Sequence, residues 1–248
     1  MAGEKEADQD YLSTLDLHSP SVAIVVPVLN ELNSIDSCLQ HLLEQQYFTD
    51  IVIVDGGSTD GTLAVLAGYA NNPRISLVSS QPGRGRQMNA GAAACQSDAI
   101  LFLHADTRLP NNAITPVRNV ITAGAEWGRF NVRINDASFL LSIVAFIMNV
   151  RSCITGICTG DQAIFTRRDV FAMLGGYSMM PLMEDIEFCR RLKRIARPAC
   201  IRAKAITSAR RWQRHGTIRT ILKMWYLRLL YWLGVSPSRL VRCYRDAR

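Results

Sequence analysis

Five short polar clusters hold the residue types that could do chemistry in this chain. Pro27-Val-Leu-Asn-Glu31 ends on an amide and a carboxylate. Asp55-Gly-Gly-Ser-Thr-Asp-Gly-Thr62 sets carboxylates among glycines and hydroxyls. His104-Ala-Asp106 puts an imidazole beside a carboxylate, Gly160-Asp-Gln162 offers Asp161 and Gln162, and Glu184-Asp185 is a pair of adjacent acids. A carboxylate accepts from a base N–H or from ribose hydroxyls, binds a divalent cation, or takes the proton of an attacking hydroxyl. Gly83-Arg-Gly-Arg86 adds the guanidiniums of Arg84 and Arg86 ahead of a helical stretch, which suits an anion such as a diphosphate. Taken singly, each cluster is equally explained by turn and cap chemistry. Their common placement is what argues for a site.

That placement follows from the elements between them. Val22-Ala-Ile-Val-Val26, Ile51-Val-Ile-Val54, Ile75-Ser-Leu-Val78 and Ala99-Ile-Leu-Phe-Leu103 are apolar runs suited to strands buried on both faces. Between them lie helical patterns: Ile35, Leu39, Leu42 and Leu43 with a cap at Asn33 or Ser34, then Leu63, Leu66, Ala67 and Ala70, then Met88 to Cys95. The order β-α-β-α-β-α-β predicts an α/β fold, an open and mostly parallel sheet with helices on both faces. In such sheets ligands sit beyond the carboxyl ends of the strands. Three of the five clusters begin there.

The second half is less regular. A strand is expected over Asn131 to Asn135 and another over Ala163 to Phe165, before a helix containing Val170 and Phe171. Helices are expected over Ala137 to Val150, Asp185 to Ile195 and Thr217 to Leu233. The first of these would be about 21 Å long, short of a hydrocarbon core of about 30 Å, so it is expected to be a buried helix. No repeat or linker divides the chain. One catalytic domain over 21–248 is expected, with a donor half over about 21–110 and an acceptor half over about 111–248. Met1 to Pro20 reads as a flexible lead-in without a signal peptide.

With 48% hydrophobic and 20% charged residues in 248, the composition excludes a disordered chain. Seven cysteines without a Cys-x-x-Cys pair exclude a disulfide framework and a zinc site, and imply free thiols in a reducing cytoplasm. The net charge of +7 is uneven: from Glu184 to Arg248 there are 17 Lys and Arg against 4 Asp and Glu. This implies an anionic partner near that end or a solvated basic helix face. Trp225, Tyr226, Tyr231 and Trp232 in this region suit weak, salt-sensitive contact with anionic lipid.

Pro27-Val-Leu-Asn-Glu31, Asp55 to Thr62 and Glu184-Asp185, in this order and spacing, resemble the family-2 inverting glycosyltransferases of the GT-A fold. The match runs from about Val22 to at least Arg194. Leu103-His-Ala-Asp-Thr107, Gly160-Asp-Gln162, Met183-Glu-Asp185 and Ser208-Ala-Arg-Arg-Trp212 resemble one subgroup, the radical-SAM/selenodomain-associated or arsenosugar-biosynthesis type. The resemblance implies a nucleotide-sugar donor, with a UDP-sugar favoured, whose base and ribose face Pro27, Asn30, Glu31 and Asp55. Arg84 and Arg86 would meet the diphosphate. Asp106 would hold Mn²⁺ or Mg²⁺, with His215 as a candidate late ligand. His104 replaces the first acid of the family's Asp-x-Asp, as a weak ligand or a ribose contact. Asp185 would be the general base and Glu184 would orient it or the sugar. Asp161, Gln162, Arg211 and Trp212 would meet a hydroxyl acceptor, for which an anionic compound suits the basic end. Ser208 stands where processive synthases carry Gln, which argues against polymerisation. No nucleic acid and no obligate protein partner are expected. A sugar-phosphate nucleotidyltransferase, or a non-catalytic nucleotide- or RNA-binding module, is the competing reading. The first lacks its signature loop here, and the second leaves Asp55, Asp106 and Asp185 unexplained.

Overall fold

The computed structural model describes residues 19–45 and 49–245. All but the end of the expected N-terminal lead-in lies outside them. The described residues form one α/β domain on an eight-stranded sheet.

The first half follows the expected alternation. Strand β1 (Val22–Val28) leads through α1 (Leu32–Leu43) to β2 (Asp50–Asp55), then through α2 (Thr62–Ala67) to β3 (Ile75–Ser79). Helix α3 (Arg84–Ala93) and β4 (Ala99–Phe102) complete it. These four strands pair in parallel in the order β3-β2-β1-β4. Alternate side chains serve opposite layers. Ile24, Val26, Ile51, Ile53 and Leu101 join Ile35 and Leu39 on one face. Ala23, Val25, Val52, Val54, Ile100 and Phe102 join Met88 and Ala92 on the other. Helix α1 begins at Leu32, earlier than the expected cap at Asn33 or Ser34, and Ser34 Oγ instead donates to Glu31 Oε2 at 2.5 Å. Helix α3 approaches the sheet closely enough that a Cβ at Gly91 would collide with the Val25 side chain.

The second half turns the sheet around. After β5 (Thr107–Arg108) and α4 (Ile114–Thr122) comes β6 (Trp127–Asn135), then α5 (Phe139–Thr155) and β7 (Phe165–Arg167). Helices α6 (Arg168–Met173) and α7 (Glu184–Ile195) precede β8 (Ala199–Ser208). Strand β7 runs antiparallel between β4 and β6, and β8 joins β6 in parallel and β5 antiparallel. The sheet is thus mostly parallel with an inverted strand at its middle. Gly128 is the junction: it pairs with Phe165 on one side and Ala199 on the other. A Cβ there would collide with the Ala199 carbonyl and the Phe165 ring.

Three helices close the chain: α8 (Arg210–His215), α9 (Thr217–Trp232) and α10 (Pro237–Arg245). The expected buried helix is corrected here. Helix α5 buries only Leu141, Ala145 and Ser152, while Phe139, Phe146 and Ile154 stand exposed. Helix α9 similarly buries only Thr220 and Leu227. Among the described residues no helix is long and apolar enough to cross a membrane. The seven thiols are unbridged.

Candidate active site

The ends of β1 and β2 are laced together. Asn30, in the left-handed region at φ 56°, receives a bond from Thr59 N to its Oδ1 at 2.8 Å, and its own N–H donates to Ser58 Oγ at 2.9 Å. Glu31 N donates to Thr62 Oγ1 at 3.0 Å. The Asp55 carboxylate is buried and accepts from Gly57 N at 2.8 Å and from Ser58 N at 3.1 Å. It therefore shapes the loop. Gln87 was not foreseen. Its buried amide donates to Val28 O at 2.7 Å and to Val54 O at 2.9 Å, which ties both strand ends to α3.

The acids meet beside this loop pair. Met183 takes φ 70° and starts α7, so Glu184 and Asp185 occupy the helix's first turn, where the dipole favours negative charge. Asp185 Oδ2 accepts from Gly160 N at 3.1 Å, and its Oδ1 accepts from Ile186 N at 2.7 Å. His104 Nδ1 lies 3.4 Å from Asp161 Oδ1, and the other edge of its ring packs on Gly160, where a Cβ would collide with Nε2. Burial pushes Glu184 above the usual carboxylate range, with Asp185 adding to the shift. Burial acts on Asp161 in the same sense, but His104, Arg211 and Arg84 outweigh it and hold that carboxyl far below its ordinary value. Desolvation lowers the Arg84 pKa, yet Glu184, Tyr244, Asp161 and Asp185 outweigh it and hold the guanidinium above its ordinary value.

These groups open into a cleft of about 450 Å³. Arg84, His104, Asp161, Glu184, Asp185, Arg211 and Trp212 all line it. Pro27 joins His104, Glu184 and Asp185 in a small adjoining pocket. The other expected residues do not line the cleft wall: Asn30, Glu31, Asp55 and Asp106 stay at the strand ends, and Arg86, Gln162 and His215 also stand outside it. Gln162 is fully buried, and its amide donates to Ser152 Oγ at 2.8 Å, so it holds the loop in place of meeting an acceptor. Arg86 is exposed and donates to Gln81 Oε1 at 2.6 Å. Trp212 also packs against Val132, Ile134 and Leu141, so only part of it is available to a ligand.

The expected metal ligands are not gathered into a cage. Among the described residues no three of His, Cys, Asp and Glu come together to hold an ion, so His215 at the end of α8 completes no cluster with Asp106. Arg210, also unforeseen, reaches Asp106 Oδ2 at 3.6 Å and Glu31 Oε2 at 3.4 Å. Asp106 offers one carboxylate. That fits an ion carried by a diphosphate, since Mg²⁺ commonly takes one or two carboxylates plus substrate phosphates.

Comparison with known proteins bears on the family and the fold. The model of glycosyl transferase family 2 matches residues 23–170. An uncharacterised glycosyltransferase of Mycobacterium tuberculosis is 26% identical over 195 residues, 74% of this chain and 73% of that protein. A PGL/p-HBAD biosynthesis glycosyltransferase of Mycobacterium bovis is 29% identical over 175 residues, 65% of this chain and 64% of that protein. Among solved structures, S. aureus TarS 1-349 in complex with UDP has a TM-score of 0.63 at 16% identity, covering 76% of this chain and 60% of that one. The mannosyltransferase PcManGT from Pyrobaculum calidifontis, in complex with GDP-Man and Mn2+, has a TM-score of 0.59 at 19% identity, covering 76% and 57%. The chain thus spans about three-fifths of each of these structures. At such identities they show the fold, which is that of the GT-A glycosyltransferases. With the family model covering more than half of the sequence, the chain belongs to glycosyl transferase family 2.

Proposed function

We propose that the chain moves a sugar from a nucleotide-diphosphate donor, a UDP-sugar before others, to an acceptor hydroxyl with inversion at the anomeric carbon. The observation that carries this reading is the meeting of the β1 and β4 strand ends with the α7 start at one cleft, where Asp185 is held by Gly160 N. The residues up to about 110 form the donor half and those from about 111 the acceptor half. TarS with UDP-GlcNAc and PcManGT with GDP-Man, both nucleotide sugars, support the donor class.

The acceptor oxygen bonds to the anomeric carbon as the carbon–oxygen bond to the diphosphate breaks. The hydroxyl proton passes to Asp185, and the bonding electrons leave with the nucleoside diphosphate. Glu184 stands next to the base, and the Arg84 guanidinium offsets charge on the cleft floor. Mn²⁺ or Mg²⁺ at Asp106 would neutralise the departing diphosphate. Within the family, the strings at Leu103 to Thr107 and Ser208 to Trp212 support the radical-SAM/selenodomain-associated subgroup. The reading puts the enzyme in the cytoplasm.

The test is a panel of UDP-, GDP- and CDP-sugars read by thermal shift and by donor hydrolysis. A nucleotide at 100 times its dissociation constant stabilises the native state by about 2.7 kcal/mol, worth several degrees. Stabilisation by UDP is expected. If no nucleotide raises the melting temperature, the donor reading fails.

A further inference from the structure

The cleft does not end at the catalytic acids. It continues between α5 and α9, where its walls are Leu140, Ile143, Ile147, Ile221, Met224 and Trp225. Most of the exposed large apolar side chains among the described residues lie on these same two helices, including Phe139, Phe146 and Ile154 on α5 and Leu222, Trp225 and Trp232 on α9. Such concentration marks an interaction surface, since scattered apolar side chains are the ordinary condition of a protein surface.

Two cations sit inside this apolar channel. Arg151 comes from α5 and Arg228 from α9, and both line the cleft with Asp185. Among the described residues, Nη2 of Arg151 and Nε of Arg228 are buried and have no hydrogen-bond partner. Desolvation brings Arg151 down to about 10, and Arg228 contributes to that shift. Desolvation also lowers Arg228. Two half-buried guanidiniums with unused buried donors carry a desolvation cost that the carboxylates of Asp185 and Asp161 offset only in part. A phosphate oxyanion between them would accept from both.

We infer that the channel holds a lipid acceptor: a hydrocarbon chain between α5 and α9, a phosphate between Arg151 and Arg228, and a polyol head group whose hydroxyl reaches Asp185. This rests on the proposed transfer reaction and names its acceptor class. The apolar flanks of α5 and α9 would then lie on the membrane surface, with the basic C-terminal segment facing anionic lipid. The balance of the step is unchanged. The head-group oxygen bonds to the anomeric carbon, its proton goes to Asp185, and the nucleoside diphosphate leaves.

The test uses short-chain dihexanoyl phosphatidylinositol, which carries a phosphate and ring hydroxyls, against dihexanoyl phosphatidylcholine. Each is titrated on the full chain without donor and followed by tryptophan fluorescence, with UDP titrated separately. Phosphatidylinositol is expected to bind at least about 10-fold more tightly, and the Arg151→Gln/Arg228→Gln double variant is expected to lose that preference while retaining its UDP affinity. Equal affinity for the two lipids would overturn the inference. So would a parallel loss of UDP affinity in the double variant, which would assign the pair to the donor diphosphate. Lipid binding that fails in a chain found dimeric by sedimentation equilibrium would make a second copy the occupant. Binding that emerges only after removal of residues 1–18 would make the chain's own leader the occupant. Failure of lipid binding with UDP binding intact sinks this inference alone, whereas failure of UDP binding sinks the transfer reading.

Discussion

Asp185, the proposed base, is held in place before any substrate arrives, because Gly160 N and Ile186 N engage its two oxygens. An amide at this position can still accept from Gly160 N, so Asp185→Asn should keep the loop and the nucleotide site. It cannot take a proton. Transfer is expected to fall about 10²- to 10⁴-fold with UDP affinity unchanged, and single-turnover assays beside calorimetry check both. Near-normal turnover would move the base to Glu184 or Asp161. The Glu184 prediction concerns stability. Burial raises its pKa, so folding favours the protonated form. Its contribution is complete below the ordinary value of 4.5 and is lost as the pH rises through the raised value. Glu184→Gln should therefore melt higher than the parent above that window and lose the advantage below it, by about 2–4 °C per kcal/mol. Melting curves from about pH 3 to about pH 8 decide this. At this scale the loop-shaping part of Asp55 could be read from the sequence because its partners Gly57 and Ser58 are local. Gln87 and Arg210 could not, since their partners lie 59 and 179 residues away.

The elements differ in how plainly the sequence announces them. Strands β1 and β2 lie between two helical layers, so every residue of Val22 to Val26 and of Ile51 to Val54 is buried and the runs are continuous. Strand β8 has one wet face. Arg202 and Lys204 point outward while Ile201 and Ala205 point inward, and its charges merge into the basic C-terminal quarter. Strand β5, of two residues, exists through its pairing with β8 alone. The apolar character of α5 was legible, but its exposure was not, because composition does not say which side meets protein. Contact between α3 and the sheet gives a sharp test. Gly91→Ala places a methyl group against Val25 and Val54. Overpacking of this kind costs about 1–3 kcal/mol, and denaturant unfolding should show a lower midpoint with an unchanged slope. An unaltered midpoint would mean that α3 can move off the sheet.

Across the whole molecule, Arg210 joins the last quarter of the chain to Glu31 and Asp106 in the first half. Its side chain is 53% exposed, so the ion pairs contribute little, about 0–1 kcal/mol. Arg210→Ala should leave unfolding nearly unchanged and free Asp106 for a cation, raising Mn²⁺-dependent UDP affinity. Asp106→Asn should abolish the Mn²⁺ dependence. Isothermal titration with and without EDTA separates the two variants, and full transfer activity in EDTA would remove the ion from the reading. The general plan of a sheet with its site at the strand ends could be read from the sequence, whereas the inverted strand at its middle could not. That inversion depends on Gly128, which pairs with β7 and β8 at once and has no room for a side chain. A survey of every substitution at every codon should therefore find an intolerant position near the start of β6, where even alanine is lost from the surviving pool.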